Sequence, residues 1–224
     1  MSMLDLWQIL NVQTMPLLPS AQSLVWARHL LWSLVMAAAG LGLSSRMTGL
    51  PRLSRYLPWL LALWAWVPGP WGASYWLGLA FQIPSLSAAF LALSVLLQDP
   101  MRRTYTARRE PSPSQAYWSV AWALVAVVTG LLLLLDTFAV LNFTVYQWGF
   151  TPLAFSLTLA VAMLPWVVSG NQSLSQPSVW SLLAALAVFL LTRWPTGNVW
   201  DAVLDPCLWL VATAHLLRMP WRRA

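Results

Sequence analysis

The sequence contains no lysine, a single cysteine and few charges of either sign. Charged residues make up 8% of the 224 residues, and hydrophobic residues make up 59%. Average soluble proteins carry about 25% charged residues, so this composition excludes a soluble globular domain. It also excludes intrinsic disorder, which requires low hydrophobicity and high charge. With Cys207 alone, an internal disulfide and sites that need several cysteines are excluded. The composition predicts an all-α, multi-pass membrane protein.

All twelve basic residues are arginines, and the net charge is +6. A basic protein can bind nucleic acid, but these arginines do not form one long basic surface. Instead, short groups of arginines flank apolar segments, as positively charged residues do on the cytoplasmic side of membrane helices. The charge therefore indicates orientation in a membrane, and no nucleic-acid partner is expected. Ten of the twelve lie in three groups: Arg46, Arg52 and Arg55; Arg102, Arg103, Arg108 and Arg109; Arg218, Arg222 and Arg223.

A membrane-spanning helix needs about 20 mostly apolar residues. The apolar stretch from Leu57 to Leu97 is too long for one span, and Pro68-Gly69-Pro70 divides it with a strong turn signal. Counting the stretches this way predicts one bundle of seven spans, with six or eight as alternatives. The predicted spans are 21–43, 56–70, 74–97, 116–137, 144–168, 179–194 and 199–217.

Seven spans place the three arginine groups on one side of the membrane. By the positive-inside rule, the N-terminus is then outside and the C-terminus is cytoplasmic. Residues 1–20 are predicted to be a periplasmic or interfacial segment. Within it, Met3 to Leu10 are apolar but too short to span, and they form either an interfacial helix or a disordered terminus. Residues 21–217 form a single transmembrane bundle with a cytoplasmic arginine-rich loop at 99–114, and residues 218–224 form a cytoplasmic tail. The predicted location is the bacterial inner membrane.

Six ionisable residues fall toward the outer side in this topology. Charged groups within spans are costly and usually face the protein interior or a wet cavity. One interpretation is therefore a functional proton or ion relay, and another hypothesis is an ion pair of Arg28 with Asp136 or Asp205. The favoured interpretation is structural: Asp205-Pro206 is a helix N-cap followed by proline, Asp201 lies in the headgroup region, and Asp136 and Arg193 lie at loop ends. The cluster comprises Arg28, His29, Asp136, Arg193, Asp201 and Asp205.

Seventeen tryptophans need a separate explanation. Tryptophan is enriched at the membrane–water interface, so interface anchoring and helix packing account for many of them. Trp32, Trp66 and Trp209 are predicted to lie deeper than an interfacial belt requires. These three are candidates for an aromatic lining that binds a lipid, quinone, carotenoid or cationic ligand.

Seven spans with an outer N-terminus resemble the arrangement of microbial rhodopsins. The segment from Val203 to Trp209 is loosely similar to the last rhodopsin helix, and Tyr75-Trp76 to the start of the third. Trp209 then stands where the retinal-bearing lysine would be, and Phe81 matches the position of the acidic counter-ion. Because the chain has no lysine, a retinal Schiff base is impossible. No cofactor and no metal site are predicted, and there is no motif of a zinc protease or a hydrolase nucleophile.

The sequence leaves two main classes of function open. The first is a non-enzymatic accessory or scaffold subunit that packs against a membrane protein partner, which the absence of a catalytic motif favours. The second is a small transporter or a bundle that binds a hydrophobic ligand and uses the outer polar cluster. A catalytic role within the membrane is the least favoured alternative. A water-accessible cavity that joins Arg28, Asp136 and Asp205 would favour transport, whereas a closed bundle would favour a subunit.

Overall fold

The computed structural model of the chain describes residues 18–47, 51–98, 113–169 and 177–218. Within these ranges every regular element is helical, which confirms the predicted all-α fold. A short 3₁₀ turn, Gly69–Trp71, lies between the second and third α-helices. The α-helices in chain order are α1 Ala21–Ser44, α2 Pro51–Trp64, α3 Ala73–Phe81, α4 Leu86–Leu97, α5 Pro113–Thr137, α6 Val145–Trp148, α7 Pro152–Ser169, α8 Pro177–Thr192, α9 Val199–Val203 and α10 Pro206–Arg218.

Two helices of the described ranges are long and apolar enough to cross a membrane: α1, and α5 over Ser119–Thr137. Helices α4, α7 and α8 are apolar but shorter. Length and composition therefore support membrane association, although a core helix of a soluble protein can pass the same test. Each predicted span contains at least one helix, but seven crossings stay a prediction.

Two of the predicted spans are interrupted, where we expected continuous helices. The stretch 74–97 divides into α3 and α4, because Gln82 adopts a left-handed φ of 63° and Pro84 follows two residues later. Proline lacks a backbone N–H and disfavours helix at the residue before it, so the helix cannot continue here. The stretch 199–217 divides into α9 and α10 at the extended Leu204 and at Asp205.

Two further boundaries also differ from the prediction. The second span, expected at 56–70, is helical only over α2, so its helix begins earlier and ends at Trp64. The fifth, expected at 144–168, begins at Pro152, since α6 and a turn occupy its first residues. The predicted interfacial segment Met3 to Leu10, the loop 99–114 up to residue 112, and the tail from residue 219 lie outside the described residues.

Short polar side chains start several of these helices. Ser20 accepts a hydrogen bond from the Ser23 N–H at α1, and Ser85 accepts one from the Ala88 N–H at α4. Asn198 accepts one from the Trp200 N–H at α9. Such N-caps satisfy backbone donors that have no partner within the helix.

The core is built mainly from α1, α4, α7, α8 and α9. Alanines supply half of the side chains in its buried cluster, and small residues let helix backbones approach closely. Gly40 of α1 serves the same purpose at α2, since a Cβ there would lie 2.9 Å from the Pro58 Cα. The buried cluster consists of Ala27, Leu31, Leu86, Ala89, Ala154, Ala162, Leu182, Ala185, Leu186, Phe189, Val199 and Ala202.

Candidate functional site

A cavity of about 1000 Å³ lies where the two interrupted helices meet α1 and α5. This volume is at the upper end of the range for small-molecule sites, about 300–1,000 Å³. Arg28, Asp201, Asp205 and Trp209 line it, so the structure brings together three of the six predicted polar residues and one predicted tryptophan. The rest of the lining is mostly apolar and includes Leu24, Val25, Phe81, Leu133, Leu134 and Leu204.

Asp205 joins the two helix interruptions. Its Oδ1 accepts a hydrogen bond of 2.7 Å from the Leu208 N–H, which confirms the predicted N-cap of α10. Its Oδ2 accepts another of 2.7 Å from the buried N–H of Ser85, the N-cap residue of α4. One buried carboxylate therefore lies at the positive ends of two helices, where the backbone stabilises its negative charge. This arrangement fixes the junction of α4 with α10.

Asp201 belongs to a second network at the same end of the bundle. Its Oδ2 accepts hydrogen bonds from the Tyr146 hydroxyl at 2.7 Å and from the Thr196 hydroxyl at 2.5 Å. Asn198 donates from its side-chain amide to the Tyr146 carbonyl at 2.8 Å. Tyr146 and Thr196 also line the cavity, so this network forms part of its wall.

The Tyr146 phenol is a donor in this network. Tyr146 lies in α6, ahead of the apolar helix α7. Burial of the phenol, followed by its hydrogen bond to Asp201 and the negative charge there, raises the pKa of Tyr146 to about 12. The hydroxyl therefore stays protonated at neutral pH and keeps donating to the carboxylate.

Arg28 projects from α1 toward α3. Gly78 leaves room for the side chain, since a Cβ at Gly78 would lie 3.2 Å from the Arg28 Cδ. The Arg28 Nε is buried and has no hydrogen-bond partner among the described residues. Asp136 and Asp205 instead accept hydrogen bonds from backbone N–H groups. The structure therefore does not show the expected ion pair of Arg28 with either carboxylate.

The other three predicted polar residues do not line the cavity. The His29 Nδ1 donates to the Ala65 carbonyl at 2.7 Å, and it lies 3.0 Å from the Ser74 hydroxyl. The imidazole ring stacks on the Trp66 ring. Asp136 accepts from the Tyr146 N–H at 2.7 Å, which links α5 to α6. Arg193 has a left-handed φ of 58° and places its guanidinium 5.3 Å from the centre of the Phe189 ring.

The three predicted tryptophans have different surroundings. Trp209 lines the cavity, and its indole N–H donates to the Val127 carbonyl of α5 at 3.2 Å. Trp32 is buried and donates to the Gln82 carbonyl at 3.0 Å, next to the interruption after α3. Trp66 is 40% exposed and packs against His29 and Trp26. They do not form one aromatic lining.

Indole N–H groups repeatedly satisfy backbone carbonyls in this molecule. Trp64 donates to the Trp71 carbonyl, and Trp76 donates to the Pro70 carbonyl, both at the turn between α2 and α3. Trp200 donates to the Val145 carbonyl of α6. Since these carbonyls lie outside continuous helices, the indoles replace partners that the helix would otherwise supply. These bonds explain part of the tryptophan content.

Sequence reasoning missed several residues of the site. Tyr146 and Ser85 reach the carboxylates from distant parts of the chain, and their positions carry no spacing signal. Thr196 is only five residues from Asp201, but it was not singled out. Gly78 and Gly130 act by having no side chain, which leaves space for Arg28 and Trp209. The sequence Pro84-Ser85, a proline followed by a good N-cap residue, could have indicated the interruption between α3 and α4.

Among the described residues, no group of three or more His, Cys, Asp and Glu side chains could hold a metal ion. Comparison of the chain with protein-family models, curated proteins and solved structures found no match.

Proposed function

We propose that this chain is a small multi-pass transporter that takes a hydrophobic or amphiphilic ligand into the cavity between α1, α3, α5 and α10. The observation that carries the proposal is the cavity itself, which joins Arg28, Asp201 and Asp205 at two helix interruptions. Interrupted helices within a membrane are tolerated where the freed backbone groups line a cavity or are buried in protein. Transporters often build their binding sites at such interruptions.

The proposal includes seven spans in the bacterial inner membrane, with the N-terminus outside. In that topology α3 with α4 forms the third span, and α9 with α10 forms the seventh. The positive-inside bias of the arginines supports it. The cavity is then near the outer side, where Tyr146 and Thr196 also lie.

Cysteine labelling tests whether water reaches the cavity. In a Cys207→Ser background, a cysteine replaces Leu133, which lines the cavity, or Leu124, an exposed residue of α5 outside the lining. A membrane-impermeant thiol reagent added to intact cells should modify Leu133→Cys and leave the lipid-facing Leu124→Cys unmodified. No labelling at Leu133→Cys, or equal labelling of both variants, would contradict the transport proposal.

A role as an accessory or scaffold subunit is the second candidate. It is supported by α5, in which Ala123 is the one buried residue of the part 119–137. Leu124, Val128 and Leu131 are exposed on this helix and could pack on a partner helix. Extraction in mild detergent should then yield a stoichiometric partner that is lost when these three residues are replaced by alanine. A monomer unaffected by the substitutions would exclude this role for α5.

A further inference from the structure

Arg28 lines the cavity together with the carboxylates of Asp201 and Asp205, but it forms no ion pair with a described residue. It is the only cationic side chain among the described residues that line the cavity. Its Nε is buried and has no hydrogen-bond partner among the described residues. An unpaired guanidinium within a membrane bundle is costly, and such groups usually pair with an anion.

The nearby carboxylates accept hydrogen bonds from other groups. Both oxygens of Asp205 accept backbone N–H groups at helix N-termini. The Asp201 Oδ2 accepts two hydroxyl groups, from Tyr146 and Thr196. Within the described ranges neither carboxylate accepts a hydrogen bond from Arg28. An anion that enters the cavity would supply the complementary group.

The remaining surface suits an alkyl chain. Leu24 and Val25 on α1, Leu133 and Leu134 on α5, and Phe81 after Gly78 on α3 supply apolar lining near the arginine. An anionic head at Arg28 would leave a hydrocarbon tail in contact with these side chains. Burial of the tail stabilises the complex by about 25 cal/mol for each Å² of apolar surface removed from water.

We propose that the cavity binds a single-chain amphiphile with one anionic head, a carboxylate or a phosphate ester, and that Arg28 binds the head. This inference rests on the proposed transport function and specifies its substrate class. A guanidinium can bind either head through two parallel N–H donors, so the chemistry of the head is shared between the two.

Binding of three sixteen-carbon probes to the purified, detergent-solubilised full chain tests the proposal by native mass spectrometry. The probes are palmitate, hexadecyl phosphate and the uncharged hexadecanol; acetate and inorganic phosphate serve as heads without tails. Both charged amphiphiles should bind more tightly than hexadecanol. Arg28→Gln should weaken their binding by about 10- to 100-fold, the loss expected for a hydrogen bond to a charged group. Hexadecanol binding should not change.

Two variants control this measurement. Arg28→Lys retains the charge and should restore most of the affinity for the anionic probes. Arg55→Gln removes an exposed arginine of α2 that lies outside the lining, and it should have no effect. If Arg28→Gln does not fold, Ala80→Phe fills the cavity from α3 while Arg28 remains, and it should abolish binding of all three amphiphiles.

The outcomes separate the two proposals. Equal affinity for palmitate and hexadecanol, or unchanged palmitate binding in a folded Arg28→Gln protein, would overturn the assignment of the head to Arg28 but leave a hydrophobic cavity. Acetate or phosphate binding as tightly as the amphiphiles would overturn the requirement for a tail. Absence of binding by every amphiphile would overturn the proposed function together with this inference.

Discussion

At the scale of single residues, large side chains pack directly against glycines of neighbouring helices. Trp209 lies against Gly130 of α5, and a Cβ at Gly130 would overlap the Trp209 Cδ1 and lie 2.6 Å from its Nε1. The indole also donates to the Val127 carbonyl of the same helix. Because α5 packs mainly on α10, this contact is central to how α5 is held.

Gly130→Ala should therefore displace Trp209 and destabilise the protein by about 1–3 kcal/mol, the usual cost of overpacking. Thermal unfolding in detergent measures the change. Gly42→Ala is the matched control, since it lies in α1 and a Cβ there would meet nothing within 4 Å. That variant should be neutral or more stable by up to about 1 kcal/mol, because alanine favours helix over glycine. Equal stability of the two variants would contradict this role of Gly130.

The residue scale is also where sequence reasoning reached its limit. It identified Arg28, Asp201, Asp205 and Trp209, because an ionisable group or a deep indole in an apolar stretch is conspicuous by itself. It did not identify their partners. An isolated Arg28 and a carboxylate suggest an ion pair by charge alone, but backbone N–H groups freed at helix ends compete for the carboxylate. These donors become visible only when the helix interruptions are known.

At the scale of elements, α4 and α10 share Asp205 as the acceptor at their N-terminal ends. Removing its side chain leaves the Leu208 N–H uncapped and the buried Ser85 N–H without its acceptor. Loss of an N-cap costs about 1 kcal/mol, and a buried unsatisfied donor adds about 1–3 kcal/mol.

Asp205→Ala should thus destabilise the protein by about 2–4 kcal/mol. Asp205→Asn should cost less, because asparagine can still cap α10 with its amide oxygen. Ser20→Ala removes the α1 cap, which joins no second helix, and should cost only about 1 kcal/mol. Unfolding in detergent with increasing SDS ranks the three variants. If Asp205→Ala is no less stable than Ser20→Ala, the carboxylate does not join the two helices.

Helix positions were more predictable than helix continuity. Long apolar runs such as 21–43 and 116–137 predict helices closely, since a helix satisfies the whole backbone of such a run in an apolar environment. The divisions of 74–97 and 199–217 were missed because hydropathy does not change at an interruption. Pro84 marks the first interruption, and the pair Asp205-Pro206 marks the second. Asp205 was correctly interpreted as a helix N-cap, but the division of the seventh span at this point was not predicted.

At the scale of the whole molecule, the polar groups lie together at one end of the bundle. Asp136, Tyr146, Thr196 and Asp201 form one continuous set of bonds there, next to the cavity that Arg28 lines. The proposed topology assigns this end to the outer side. It assigns the three arginine groups to the cytoplasmic side. The charge pattern of the sequence thus predicts the orientation of the protein in the membrane, and the orientation determines from which side the cavity is reached.

Reporter fusions in a bacterial host test this orientation. Because arginine-rich segments are retained in the cytoplasm, a fluorescent protein fused after Ala224 should fluoresce, and alkaline phosphatase fused there should be inactive. Phosphatase fused after Asn142, between α5 and α6, should be active. An active phosphatase at Ala224 would instead reverse the assigned sides or make the number of spans even. If the fusion after Asn142 were inactive as well, the end of the bundle with Tyr146 would face the cytoplasm, and a reagent added outside the cell should then fail to reach the cavity.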